Sequence, residues 1–435
     1  MGAGTAQGGA CLLISGKERK NMEFVVFAGV LLLLFIFMIV QELIQTKNQE
    51  KLFKKYLREN YGKEPPKEYS LERFARLGSY LERHKEEKQL DDITWNDLGM
   101  DEVFRRIDRT YSAAGEEYLY YTLRNISCGR EAMEHLEEVV NWLQEQEDIK
   151  VRIQLLMKRL GHLGKYSLYD YLDNLDYLGE RSNRKIVLEN LLYLPFLLLL
   201  FVQPAMGTIG IVLCMLWHIM TYFREKKVIE PYIISFAYVL RLIDVCEELE
   251  KQKIPVYRRE LDELREALKS LRELRRGAYW VMAGNQGKIG GNPLDILADY
   301  LRMILHLDIF QFNRMLEKLR KKTGQVENML AITGYLDMAI SVGGFRKSLE
   351  GYCIPKLEED TEKAFLHMKK GWHPLLSQPV KNSIRADRGI LLTGSNASGK
   401  STLVSQLGLA AITEGFKVAM FSGEMLASRV REWVL

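Results

Sequence analysis

Paired cysteines are missing from this sequence. Its five cysteines, Cys11, Cys128, Cys214, Cys246 and Cys353, stand far apart, with no CxxC pair. That pattern excludes a disulfide framework and a zinc-finger type of site, and it reads as unpaired thiols in a reducing compartment. An excess of one charge is missing too: the formal net charge is +4 over 435 residues. A nucleic-acid footprint would show as a concentrated basic face, so charge alone leaves the partner open. What the chain does have is apolar mass. With 47% hydrophobic and 27% charged residues it is no disordered tail, and its length allows two or three domains with a sizeable core.

The hydrophobicity is unevenly spread. From Phe24 to Val40 every residue is apolar or Gly, which with Met22 and the flanks approaches the roughly 20 residues that cross a bilayer. Gln41, Glu42 and a basic helix follow where a signal peptide would need a small-residue cleavage site, so the segment reads as a retained anchor. A second, predominantly apolar stretch runs from Leu191 to Phe223, broken near its middle by Gln203, Pro204 and Gly207. Arg181, Arg184 and Lys185 precede it and Arg224, Lys226 and Lys227 follow it. Basic residues at both ends predict a transmembrane helical hairpin with both ends in the cytoplasm; the competing reading is a buried core hairpin. For the first segment, Lys17, Arg19 and Lys20 stand before it, but Lys47, Lys51, Lys54, Lys55 and Arg58 after it favour an outside N-terminus.

Residues 1–21 carry no periodic pattern and read as a flexible N-terminus, followed by an anchor over 22–44. Residues 45–94 read as a charged helix and linker, broken at Pro65 and Pro66. Residues 95–350 read as a helical domain enclosing the hairpin at 187–223, with apolar residues at three- and four-residue spacing. Leu261, Leu264, Leu268, Leu271 and Leu274 make one apolar stripe, the pattern of ordinary helix packing. Gly284 to Pro293 is a Gly- and Asn-rich turn. From residue 351 onward Cys353, Pro355, His373, Pro374 and Pro379 break the helical texture, and Gly389 to Thr393 reads as a short strand entering a Gly-rich turn.

That turn carries the chemistry. Gly394, Ser395, Asn396, Ala397, Ser398, Gly399, Lys400 and Ser401 fit GxxxxGK[ST] at every required position, with Thr402 next. The two glycines allow a tight turn that aims successive N–H groups at phosphates, and a following helix adds its positive end. Lys400 is the residue to reach the β- and γ-phosphates of ATP, and Ser401 the one to place its hydroxyl on Mg²⁺. Hydrolysis needs in addition a carboxylate for the metal shell. No apolar strand ending in Asp follows within the sequence, and Glu424 is the nearby candidate for a catalytic role, against the plainer reading of a solvated acid at a helix start. The expected fold class is therefore mainly α with a C-terminal α/β P-loop domain, incomplete over residues 351–435.

The run from Gly389 to Thr402 resembles the ATPase domain of the MutS family, whose P-loop also carries Asn two residues after the first glycine. Trp372-His373-Pro374-Leu375-Leu376 looks like the His-Pro element of that family, and Val380-Lys381-Asn382 like its short Asn-containing segment. Asp97 to Phe104 with Thr110 to Gly115 and Leu119 to Leu123 is similar to the start of the family's core, or lever, domain. Gly334 to Ser341 looks like the place where the lever helices return to the ATPase. The resemblance implies an ATP- and Mg²⁺-binding protein related to mismatch repair, with DNA and a second copy of the chain as partners. Two departures stand out: no N-terminal mismatch-reading domain with the Phe-x-Glu element that the family wedges into DNA is recognisable, and the apolar segments are foreign to soluble members. After Thr402, the stretch from Leu403 to Met425 instead resembles the RecA-like fold of replicative DNA helicases, whose Ser-x-Glu-Met glutamate matches Glu424. A catalytically incomplete nucleotide-binding membrane scaffold, or a chimera with a helicase fragment, stays open beside the membrane-anchored MutS-like reading.

Overall fold

The computed structural model describes residues 37, 40, 41, 44–63, 69, 71–86, 89–125, 129–163, 167–275, 300–356, 365–373, 375, 376 and 378–387. The nucleotide motif, Glu424, most of the first apolar segment and the turn at Gly284 to Pro293 lie outside them. The chain divides into two compact units, Met1–Tyr61 and Gly62–Leu435. In the first, residues 44–60 are helical, with Glu50–Lys54 at 2.6 Å and Lys55–Glu59 at 3.7 Å as i,i+4 pairs on an exposed face.

The second unit is mostly helical. Its helices begin with α1 (Leu71–Arg83), α2 (Asp92–Asp97), α3 (Met100–Ile107), α4 (Ala113–Arg124), α5 (Arg130–Glu145), α6 (Glu147–Leu160) and α7 (Leu168–Asp173). They continue with α8 (Arg184–Leu191), α9 (Tyr193–Val202), α10 (Pro204–Glu250), α11 (Arg258–Leu271), α12 (Leu307–Arg320) and α13 (Thr323–Lys347). Helix α1 occupies part of the expected linker. It is held by apolar burial, since Leu77 on it packs with Trp95, Phe104, Ile107, Leu119, Tyr120 and Met338 in one core cluster. Helices α4 and α13 are the central pair, because small residues face each other there: a Cβ on Gly334 would lie 2.6 Å from the Ala114 carbonyl oxygen. The leucine stripe of α11 does what its spacing says. Leu261, Leu264, Leu268 and Leu271 are all buried, each contributing roughly 1.5–3 kcal/mol relative to exposure.

The α/β expectation for the C-terminal part is corrected. The sheet among the described residues is a single antiparallel pair, β1 (Leu366–Gly371) and β2 (Asn382–Ala386). A parallel layer needs a crossover of a dozen or more residues, usually a helix. Here the short connection from Trp372 to Lys381 carries no helix among its described residues and can only return the chain antiparallel. The register pairs Leu366 with Ala386 and Met368 with Ile384, then shifts before Gly371 meets Asn382. Lys370 takes the extra step with a left-handed φ of 52°, and its N–H donates to Ser383 Oγ at 3.0 Å.

The second apolar stretch forms a helical hairpin. Gln203 breaks it, with Pro204 at the first turn of α10, where its missing N–H costs nothing. The two arms approach closely because Gly207 and Gly210 face α9, and a Cβ on Gly207 would lie 2.6 Å from the Leu200 nitrogen. Residues 184–202 and α10 are both long and apolar enough to cross a membrane. Their outer faces are exposed, as at Phe201 (89%) and Val202 (78%), whereas α10 from Ile229 to Leu249 is packed into the helical body. At 1.5 Å per residue α10 is about 70 Å long, so one continuous helix runs from the apolar stretch into the core.

Candidate functional site

The residues that the sequence singles out for nucleotide binding lie outside the described residues, but the segment leading to them is described. His373 follows β1 and organises the next turn: the Leu376 N–H donates to its carbonyl at 3.2 Å, and the Leu375 N–H to its Nδ1 at 3.3 Å. An accepting Nδ1 leaves the ring proton on Nε2, which is buried with no partner among the described residues. Burial holds this imidazole below its ordinary value. Asn382 closes the segment by donating from Nδ2 to the Val380 carbonyl at 3.2 Å.

Two distant stretches that look like family elements meet directly. The turn Thr110 to Ser112 ends at Ser112, the N-cap of α4, whose Oγ accepts from the Gly115 N–H at 3.1 Å. Asp337, in the middle of α13 and fully buried, receives that turn. Its Oδ2 accepts from Ser112 Oγ at 2.6 Å, the Ser112 N–H at 2.8 Å and the Tyr111 N–H at 3.0 Å. One turn later Ser341 Oγ donates to the Ile107 carbonyl at 2.8 Å and accepts from the Arg109 N–H at 2.7 Å. Asp337 and Ser341 thus clamp the entrance of α4 onto α13. Asp337 and Ser341 stand four apart in the mainly apolar second half of α13, but their partner was invisible in the sequence.

Behind the clamp lies a set of buried charges that sequence reasoning missed. Glu116 accepts from Arg73 Nε at 2.5 Å and from Arg76 Nη2 at 2.9 Å, with His162 Nδ1 at 3.5 Å. Asp108 accepts from Thr110 Oγ1 at 2.6 Å and from the Tyr69 hydroxyl, whose phenol burial and the Asp108 charge both push up. Glu117 points the other way and accepts from Ser167 Oγ at 2.8 and 2.9 Å. Burial drives the Glu117 carboxyl up to about 8, against the Ser167 hydrogen bond and the Arg76 charge that hold it down. Two adjacent glutamates at the start of a helix look like a solvated face in sequence, because i and i+1 diverge; only the packing of α1 and α7 over them makes both interior.

The hairpin meets the body through polar contacts as well. Asn190 Nδ2 donates to the Leu305 carbonyl at 3.0 Å, Asn183 Nδ2 to the Phe310 carbonyl at 3.0 Å, and Asn313 Nδ2 to Asn183 Oδ1 at 2.9 Å. The Tyr222 hydroxyl donates to Asp308 Oδ2 at 2.8 Å and accepts from Lys226 Nζ at 3.0 Å. Asn190, just before the apolar arm, therefore belongs to its attachment. Cys214 and Cys246 are free and buried and Cys353 is free and exposed.

No family model matches the chain. Part of it is similar to endonuclease MutS2 of Streptococcus pyogenes serotype M18, at 31% identity over 117 residues, 24% of this chain and 14% of that protein. MutS2 of Streptococcus agalactiae serotype Ia matches at 30% over the same length, again 24% of this chain and 14% of the relative. A probable DNA mismatch repair protein Msh6 of Drosophila melanogaster matches at 28% over 106 residues, 23% of this chain and 9% of that protein. Over the matched stretch the chain is distantly related to the MutS superfamily. The match spans about a seventh of the length of its streptococcal relatives.

Proposed function

We propose that this chain is a membrane-anchored, ATP-binding MutS-like protein whose nucleotide site is the run from Gly394 to Thr402. The observation that carries the reading is the full GxxxxGK[ST] match, supported by the partial relatedness to MutS proteins. In this reading Lys400 neutralises the β- and γ-phosphates and Ser401 holds Mg²⁺. The joint built by Asp337 and Ser112 then makes the long helix α13 a rigid element between the first helices and the segment that leads to the nucleotide. DNA and a second copy of the chain are the partners proposed from the relatedness. Replacing Lys400 with Ala is expected to weaken ATP binding at least tenfold, about 1.4 kcal/mol or more. Unchanged binding of a fluorescent ATP analogue would remove the nucleotide assignment. The chain is expected to turn ATP over hardly at all; if a rate is measurable, Glu424 is its proposed source, and Glu424→Gln should abolish it while leaving binding intact.

The membrane part of the proposal rests on the exposed apolar faces of the hairpin and on its basic flanks, which place both ends in the cytoplasm. Carbonate washing should leave the chain in the membrane fraction, and deletion of residues 22–44 alone should not release it, because the hairpin remains. Quantitative release of that deletion variant would mean that the hairpin is ordinary core.

A further inference from the structure

His218 lies inside the apolar stretch of α10 and is fully buried. Facing it is His306, also buried, at the N-terminal end of α12, with ring centroids 5.4 Å apart. The hydrogen bonds around the two rings fix both tautomers. His218 Nδ1 lies 2.8 Å from the Cys214 carbonyl; a carbonyl only accepts, so Nδ1 carries the proton and Nε2 keeps a bare lone pair. Thr221 Oγ1 gives its single proton to the backbone, to the carbonyl of Trp217 at 3.1 Å or of His218 at 3.0 Å. It can therefore only accept from His306 Nε2, 3.3 Å away, which leaves Nδ1 of His306 as the bare nitrogen. These two atoms, His218 Nε2 and His306 Nδ1, are the ones buried without a hydrogen-bond partner.

Two buried imidazoles, each with one nitrogen tied to an oxygen and the other bare, form the arrangement in which histidine binds transition metals. The spacing fits as well: nitrogens about 2.0–2.1 Å from one tetrahedral ion would place the ring centroids roughly 5 Å apart. His306 reaches this position with a left-handed φ of 53°, a conformation uncommon for residues bearing a Cβ. We propose that the stem of the hairpin binds one transition-metal ion of the zinc class through His218 Nε2 and His306 Nδ1. Among the described residues no group of three His, Cys, Asp or Glu side chains forms a ligand set. The remaining positions fall to water or an exogenous ligand, so the site is open rather than closed. The ion would tie α10 to the start of α12, and with it the apolar hairpin to the helical body.

The test is titration of the purified full chain in detergent with Co²⁺, read by its visible absorption, and then with Zn²⁺ in competition. One ion per chain is expected. His218→Ala and His306→Asn should each weaken binding at least tenfold; Asn is chosen because it tolerates the left-handed backbone. Thr221→Val, which frees the proton-bearing side of His306, should weaken it by a smaller factor. Binding that survives unchanged in both histidine variants, carried by the other histidines of the chain, would overturn the proposal, as would the absence of binding. Should a variant fail to fold, X-ray absorption of the zinc-loaded wild type decides: two imidazoles per zinc supports the site, and none overturns it.

Discussion

Replacing Asp337 with Ala is expected to destabilise the helical body by on the order of 3–5 kcal/mol, since it strands the Tyr111 N–H, the Ser112 N–H and the Ser112 hydroxyl in a dry interior at ~1–3 kcal/mol each. All three donate to the one carboxylate, and Ser112 and Asp337 are fully buried, so at least the two Ser112 donors have no solvent to take its place. Gly115→Ala should act on the same joint from the other side, because its new Cβ would collide with the Asp337 side chain. Thermal unfolding in detergent measures both. A change in melting temperature within a degree or two of wild type for Asp337→Ala would show that the clamp contributes little.

Glu117 gives the second large effect, in the pH dependence of stability. Its folded-state value of about 8 lies above the ordinary 4.5, so between those values the folded chain holds a proton that the unfolded chain has released. The sign follows: this group's contribution is fully present below about 4.5 and is lost as pH rises through about 8. The loss amounts to a few kcal/mol, because each pH unit that separates the folded and unfolded values is worth about 1.4 kcal/mol. Glu117→Gln carries no charge to bury and keeps an acceptor for Ser167. It should therefore be more stable than wild type at pH 9 and nearly equal to it only at about pH 4.5, the ordinary value of the group. An identical decline from about pH 4.5 to pH 8 in the variant and the wild type would assign that slope to other groups.

How much of this was legible in the sequence depends on the range of the interaction concerned. The stripe from Leu261 to Leu274 predicted a helix and its buried face, because both depend on residues three and four apart. The break at Gln203 and Pro204 was equally local. Helix α1 was not legible: its helicity depends on Leu77 reaching a core built by Phe104, Leu119 and Met338. The α/β expectation after residue 351 failed because an apolar pentad before a Gly-rich turn says nothing about its neighbours. The described strands upstream pair with each other in antiparallel order, joined by too short a connection for a crossover.

By itself the sequence determined the features that live within a few residues of chain. These are the GxxxxGK[ST] pattern, the apolar hairpin with its basic flanks and the helix-rich middle. The tertiary structure alone decided which distant residues share an interior: Asp337 with Ser112, Glu116 with Arg73 and Arg76, and His218 with His306. The reason is physical. Periodicity and backbone geometry are properties of a segment, whereas burying a charge or a bare imidazole nitrogen becomes tolerable only through a partner that the fold brings from elsewhere in the chain.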